Sequence, residues 1–184
     1  MIEVPGLRYV PGYLESDVQD RLLAVIDEQP WHDISGQRRI QFYGYWSNPA
    51  KGGLYRVGDL PGWASEIAAR LEHDKLMPYP ADQLIVTEYQ PGQGLRPHVD
   101  APVFEGVIVG LTLGSTCIME LTHQERSEQI LLEPGSAVVF SGEARDRWQH
   151  AIPSRAADVW MGRTLHRSRR VSLTYRKMLA AAQA

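Results

Sequence analysis

Cysteine is nearly absent from this chain. Cys117 stands alone, which excludes an intramolecular disulfide and any zinc site built on several cysteines. Long apolar runs are also missing. No stretch approaches the ~18 residues needed to span a bilayer. The first residues, MIEVPGLRYV, lack the basic start and apolar run of a secretory leader. A cytoplasmic protein without membrane contact is expected. Glycine (16) and proline (12) are too few for a low-complexity chain of 184 residues, and no repeat or Ser/Gly linker divides it. One domain over residues 1–184, acting as a monomer, is expected. At this size about 70% of the unfolded chain's surface can be buried, so no staple is needed.

An overall excess of positive charge is missing too. The formal net charge is −3, which argues against non-specific nucleic-acid binding. That mean hides an asymmetry. Arg145 to Lys177 holds nine basic residues against two acidic ones, +7, whereas the rest of the chain sums to −10.

What is present falls into two parts. Ser16 to Glu28 reads as an amphipathic helix with Val18, Leu22, Leu23 and Ile26 on its apolar stripe. Ser16 is the expected cap, with Gln19 three residues on, and Pro30 follows the stop. A second helix is predicted near Trp63 to Leu71. Residues 32–60 between them are polar, aromatic and Gly-rich. They read either as a β-hairpin packing its aromatics on the core or as a substrate lid. From Gln83 onward short β-rich runs recur: 84–89, 107–113, 117–121, 129–132, 137–140, 150–152 and 170–176. Turn signals such as Pro91-Gly92 and Pro134-Gly135 separate them. The predicted class is α+β, with a β core over about 83–177 and the helices preceding it.

Within that core, His98-Val99-Asp100 is an HxD pair. On a strand, residues i and i+2 share a face, so an imidazole and a carboxylate can hold one metal together. About 0.3 such pairs arise by chance in this composition, so the pair needs context. His150, fifty residues later at the start of a β run, supplies it. Two histidines and one carboxylate with open positions form the facial triad of non-haem Fe(II) oxygenases, although zinc also accepts such ligands.

A third element is the alternating strand Arg170 to Arg176. Arg170, Ser172, Thr174 and Arg176 share one face; Val171, Leu173 and Tyr175 share the other. Two inward arginines are costly unless anions meet them, and a dicarboxylate would do so through bidentate guanidinium contacts. Their Cα atoms are about 20 Å apart on an extended strand, so one carboxylate cannot satisfy both. The alternative is an exposed edge strand with solvated arginines.

These pieces together resemble the AlkB family of 2-oxoglutarate- and Fe(II)-dependent dioxygenases. The resemblance rests on Tyr89-Gln90-Pro91-Gly92 leading to His98-Val99-Asp100, then on Ser141 through His150, and then on Arg170 through Arg176. Pro5 to Leu14 and the Arg39…Tyr43-Gly44 segment extend it over nearly the whole chain. It is most similar to the tRNA-directed branch, without that branch's additional domains. The resemblance implies a double-stranded β-helix (jelly-roll) core with helices packed on one sheet. It implies Fe(II) on His98, Asp100 and His150. It implies the distal carboxylate of 2-oxoglutarate on Arg170 and Tyr89, with Arg176 nearer the metal, beside Asp100 and the C1 carboxylate of the co-substrate. Thr87, Ser172 and Thr174 complete the co-substrate contacts, and Thr87 and Ser172 stand where the family often has asparagine. O₂ is the remaining co-substrate, and the products are succinate, CO₂ and a hydroxylated or demethylated substrate.

Alkylated bases in DNA or tRNA are the family's usual substrates. Arg39, Tyr43, Trp46 and Tyr55 are the candidate substrate residues. Gln37, Arg38, Arg39 and the Arg163–Arg170 run could contact phosphates, or Arg163–Arg169 could be a solvated loop. The same chemistry on a protein side chain or small metabolite is the alternative. A non-enzymatic β-barrel binder is disfavoured by the triad with both arginines.

Overall fold

Residues 170–176 alternate polar and apolar, and the protein divides them between two environments. The structure, a computed structural model, describes residues 3–34, 38–47 and 54–180. In chain order its elements begin with β1 (Leu7–Val10), α1 (Ser16–Asp27), β2 (His32–Ile34), β3 (Arg38–Tyr43), β4 (Tyr45–Ser47) and β5 (Leu54–Arg56). Then come α2 (Gly62–His73), β6 (Gln83–Tyr89), β7 (Leu95–His98), β8 (Val107–Gly114), β9 (Cys117–His123) and β10 (Arg126–Leu132). The chain continues through β11 (Ala137–Ser141), α3 (Gly142–Asp146), β12 (Gln149–Ile152), β13 (Ala157–Trp160), β14 (Arg163–His166) and β15 (Arg170–Arg176).

Seven strands form one sheet in the order β1-β11-β8-β15-β6-β3-β2, and four form a second in the order β10-β9-β12-β7. Every ladder is antiparallel. The two sheets make the expected jelly roll. The outer face of the larger sheet carries Leu84, Val86, Val109, Leu111, Leu113, Val171, Leu173 and Tyr175. It is covered by Leu22 and Ile26 of α1 and by Ala64, Ile67, Ala68 and Leu71 of α2. Burying each Leu- or Ile-sized side chain stabilises by about 1.5–3 kcal/mol, so this layer anchors the fold. Ile108, Met119, Leu121, Ile130, Leu132, Val138, Phe140 and Trp148 fill one end between the sheets. The inner row of β15 faces what remains, a cavity. No described helix is long and apolar enough to cross a membrane.

Helix α1 begins as expected but is capped differently. Its cap position is Glu15, in extended backbone, with no side-chain cap bond. Ser16 is already helical, so its hydroxyl is one residue too late. Gln19 Nε2 donates instead to Leu14 O at 2.9 Å, and Leu14 N donates to Gly135 O at 2.8 Å, tying the helix start to the sheet.

The described part of the 32–60 segment is built of paired strands, as its hairpin reading expects. β2 and β3 extend the large sheet, while β4 and β5 form a separate two-stranded ribbon. Residues 35–37, Gln37 among them, and 48–53 lie outside the described residues. Of the Arg163–Arg169 stretch, Arg163–His166 form β14, one arm of the β13–β14 hairpin, whose two-residue turn, Met161-Gly162, has positive φ at both positions (48° and 76°). That turn type favours Asn-Gly, and methionine at its first position conceals it in the sequence.

Candidate metal centre and co-substrate cavity

His98 and His150 face each other directly across the β7–β12 ladder, with ring centroids 4.3 Å apart. His98 Nδ1 lies 3.0 Å from Arg96 O. A carbonyl only accepts, so Nδ1 carries the proton and Nε2 keeps its lone pair, the usual way a ligand histidine is oriented. His150 is buried, and burial pushes its pKa down to about 4 against the attraction of Asp100. It is therefore neutral near pH 7, as a metal ligand must be.

Asp100 joins them by a route the i, i+2 argument did not foresee. β7 ends at His98, so Asp100 belongs to no strand. Its carboxylate is divided between two tasks. Oδ1 accepts from Arg176 Nε (3.0 Å) and Nη2 (2.6 Å). Oδ2 lies 3.6 Å from His150 Nε2. Burial raises the Asp100 pKa, but neighbouring positive charge, that of Arg176 first, brings it below its ordinary value. One ligand atom from each of His98, Asp100 and His150 can be chosen so that all lie within 4.8 Å of one another. Two imidazoles and an ionised carboxylate converging this closely are the ligand types of a facial two-histidine, one-carboxylate metal site. The donor set fits a divalent metal.

The cavity beside this centre has a volume of about 270 Å³. Thr87, Tyr89, Arg170, Ser172, Thr174 and Arg176 all line it, as the alternation of β6 and β15 requires. Arg170 pairs with Tyr89 across the ladder, and its guanidinium lies 5.3 Å from that ring. It is 5% exposed. Its Nη2 donates to Thr112 Oγ1 at 2.9 Å, while its buried Nε has no protein partner. Among the described residues no carboxylate pairs with it. A buried cation with an unused donor facing a cavity fits an anionic ligand. Arg176, by contrast, is occupied by Asp100 and by Gln83 Oε1 at 3.3 Å. The two arginines thus have the separate roles their spacing demanded.

The expected substrate residues divide. Trp46 lines the cavity and ends a stacked row with Phe42 and His32, at centroid spacings of 4.3 and 4.8 Å. Arg39 and Tyr43 lie on the opposite face of β3. Arg39 forks onto Glu88 at 2.6 and 2.7 Å, and Tyr43 packs edge-on against Trp63. Arg38, named in the sequence as a phosphate candidate, faces the cavity. Arg38 donates to Gly94 O at 2.9 Å and lies 5.6 Å from the Tyr89 ring. Tyr55 is opposite Trp46 in the ribbon and 45% exposed. Thr112 was missed, although a polar residue in the inner row Ile108, Gly110, Thr112 was a readable signal.

The basic C-terminal stretch is mostly committed. Arg167 forks onto buried Asp158 at 2.7 and 2.8 Å, and Arg155 Nε donates to the same carboxylate at 2.7 Å. Arg169 holds Glu88 (2.6 Å) and Asp27. Lys177 holds Asp82 at 2.8 Å, Arg147 is 3.7 Å from Glu143, and Arg145 is internal. Among the described residues, Arg163 is the one basic group of that stretch with neither an acidic partner nor a buried role.

Known proteins agree with this geometry. The sequence profile of the 2OG-Fe(II) oxygenase superfamily matches residues 45–176. The chain is 34% identical, over 96% of its length, to the alkylated DNA repair protein ALKBH8 homolog of Arabidopsis thaliana, and spans 59% of it. It is 30% identical, over 95% of its length, to the tRNA (carboxymethyluridine(34)-5-O)-methyltransferase alkbh8 of Xenopus tropicalis, and spans 32% of it. The chain therefore covers less than two thirds of either relative. The solved structure of OsALKBH1 superposes with a TM-score of 0.76 at 15% identity, over 94% of this chain and 97% of that one, which speaks for the fold. With triad, cavity and profile in register, the chain belongs to the 2OG-Fe(II) oxygenase superfamily, as an AlkB-like dioxygenase that uses Fe(II), 2-oxoglutarate and O₂.

Proposed function

We propose that this protein oxidatively demethylates or hydroxylates modified nucleobases in DNA or RNA, tRNA included, as a cytoplasmic monomer. The observation that carries the reading is the His98–Asp100–His150 donor set sharing one cavity with Arg170 and Trp46. The names of relatives support the substrate class: an alkylated DNA repair protein homolog, a tRNA methyltransferase and, in Danio rerio, a probable RNA/DNA demethylase.

In this reading His98 Nε2, Asp100 Oδ2 and His150 Nε2 hold the iron. Bound iron with its keto-acid co-substrate supplies the oxidising power for C–H hydroxylation, which no side chain could supply. Arg170 takes the distal carboxylate, with the Tyr89 side chain and the Thr87, Ser172 and Thr174 hydroxyls lining the same wall. Arg176 keeps Asp100 Oδ1 occupied and so turns Oδ2 toward the metal. Ile108, Phe140 and Ile152 line the cavity with apolar surface that excludes water. Trp46 offers a stacking face for an unstacked base, and Arg38 a cation beside it.

The test is a substrate panel read by mass spectrometry: methylated single- and double-stranded DNA, tRNA, and peptides. A mass loss or gain on a nucleic acid supports the reading. Product on peptides alone moves the same chemistry to a protein side chain.

A further inference from the structure

The metal carboxylate is the least supported of the three ligands by its own backbone. His98 and His150 sit in paired strands, whereas Asp100 lies beyond the end of β7 with no ladder of its own. Something else must fix it, because a ligand atom displaced by a fraction of an ångström no longer completes the donor set.

Arg145 does this. It stands in α3 and is 6% exposed. Its Nη1 donates to Asp100 O at 3.1 Å; its Nη2 donates to Ala101 O at 2.7 Å and Phe104 O at 3.2 Å. The nearest carboxylate is Asp146, 3.4 Å from Nη1 and largely exposed. The guanidinium therefore spends its charge on carbonyl dipoles of the segment carrying Asp100, and its Nε remains buried without a partner. A buried cation held that way is costly for folding alone, which points to another use. The arrangement closes on itself. The Phe104 ring covers the Arg176 guanidinium at 5.0 Å, and Arg176 grips Asp100 Oδ1. Arg145 is five residues before His150. The Trp148 and Arg147 amides, which both donate to Glu143 O, join α3 to β12. One short segment thus supports His150 and fastens Asp100.

We infer that Arg145 is a positioning residue that sets metal affinity by fixing the Asp100 segment against His150, without touching the metal. Lysine cannot replace it, because one ammonium on a flexible stem cannot span three carbonyls as a planar fork does. The inference rests on the proposed role of His98, Asp100 and His150.

The experiment titrates Fe(II) anaerobically into wild type, Arg145→Lys and Arg145→Met at saturating 2-oxoglutarate, following the visible charge-transfer band. Circular dichroism and melting of the metal-free proteins are measured alongside. Leu22→Ala, on the far side of the large sheet, is the control for general destabilisation. The expected result is a 10- to 100-fold weaker Fe(II) affinity in both Arg145 variants, typical of losing a ligand's supporting partner. The affinity of the metal-loaded protein for 2-oxoglutarate changes less than threefold, and Leu22→Ala binds Fe(II) as wild type does. Folded Arg145 variants within twofold of wild type for Fe(II) overturn the inference, as does an equal loss in Leu22→Ala. Arg145→Lys keeps the buried charge and stem, so it decides alone if Arg145→Met is recovered unfolded. Wild type taking up no Fe(II) overturns the metal reading itself, a different outcome from tight binding unaffected by Arg145.

Discussion

Replacing Arg170 with methionine roughly keeps the length of the side chain and removes a buried guanidinium that no carboxylate among the described residues meets. Arg170 is 5% exposed and its buried Nε has no partner, so solvent cannot substitute for it. Breaking one side of a buried charge pair costs about 2–5 kcal/mol. The Tyr89 and hydroxyl contacts and chelation at the other end remain, so the lower part of that range applies, about 2–4 kcal/mol. At 1.4 kcal/mol per decade this becomes a roughly 30- to 700-fold rise in KM for 2-oxoglutarate. The assay measures succinate against co-substrate concentration. A cycle with 2-oxopentanoate, which carries a methyl where 2-oxoglutarate has its distal carboxylate, isolates the contact. Wild type should prefer 2-oxoglutarate by the same factor, and Arg170→Met should prefer neither by more than a few-fold. A KM within threefold of wild type, or a preference that survives the substitution, refutes the assignment of Arg170 to that carboxylate.

Three further outcomes follow from the same geometry. Asp158 accepts from Arg155, Arg167 and the Ile118 amide. Asp158→Ala should therefore cost about 3–4 kcal/mol and lower Tm by roughly 6–16 °C, leaving KM for 2-oxoglutarate unchanged; a Tm within 2 °C of wild type contradicts this. The Arg39 hydrogen bond, aided by Arg169 and opposed by burial, holds the Glu88 pKa below its ordinary value. A depressed folded pKa contributes stability above the unfolded value, about 4.3, that is lost as pH falls through the folded one. Glu88→Gln should show a shallower fall in Tm below about pH 4.5, and an unchanged slope rules the effect out. Oligonucleotide binding should depend weakly on salt. Taking Arg38, Arg96 and Arg163 as the cations that meet phosphate, a log–log slope near about −2 is expected for single strands, and one steeper than about −5 contradicts the charge pairing.

The parts of the fold legible in the sequence were those with a local period. Arg170 to Arg176 alternate so regularly that the face of each residue could be read directly, whereas Thr87 and Tyr89, in a run with three consecutive apolar residues, were reached through the family resemblance. The histidines and Asp100 were legible through type and order. What escaped depends on long-range contact or on a single residue of phase. Arg38 and Arg39 are adjacent and chemically alike, and only the register of β3 on β6 turns one inward. Asp158 is a buried hub because arginines three and nine residues away fold back on it, which composition cannot show. Arg145 reads as one more basic residue in a basic stretch until the Asp100 segment is placed beneath it. The charge sum of +7 misled for the same reason: it counts arginines without their partners.

The central claim is that His98, Asp100 and His150 hold Fe(II) beside a cavity whose Arg170 receives 2-oxoglutarate. Its most direct test is anaerobic absorbance of the purified protein on adding Fe(II) and then 2-oxoglutarate. The account expects a visible charge-transfer band that is lost in His98→Ala and persists in Asp158→Ala. No band in wild type, or a band that survives His98→Ala unchanged, contradicts it.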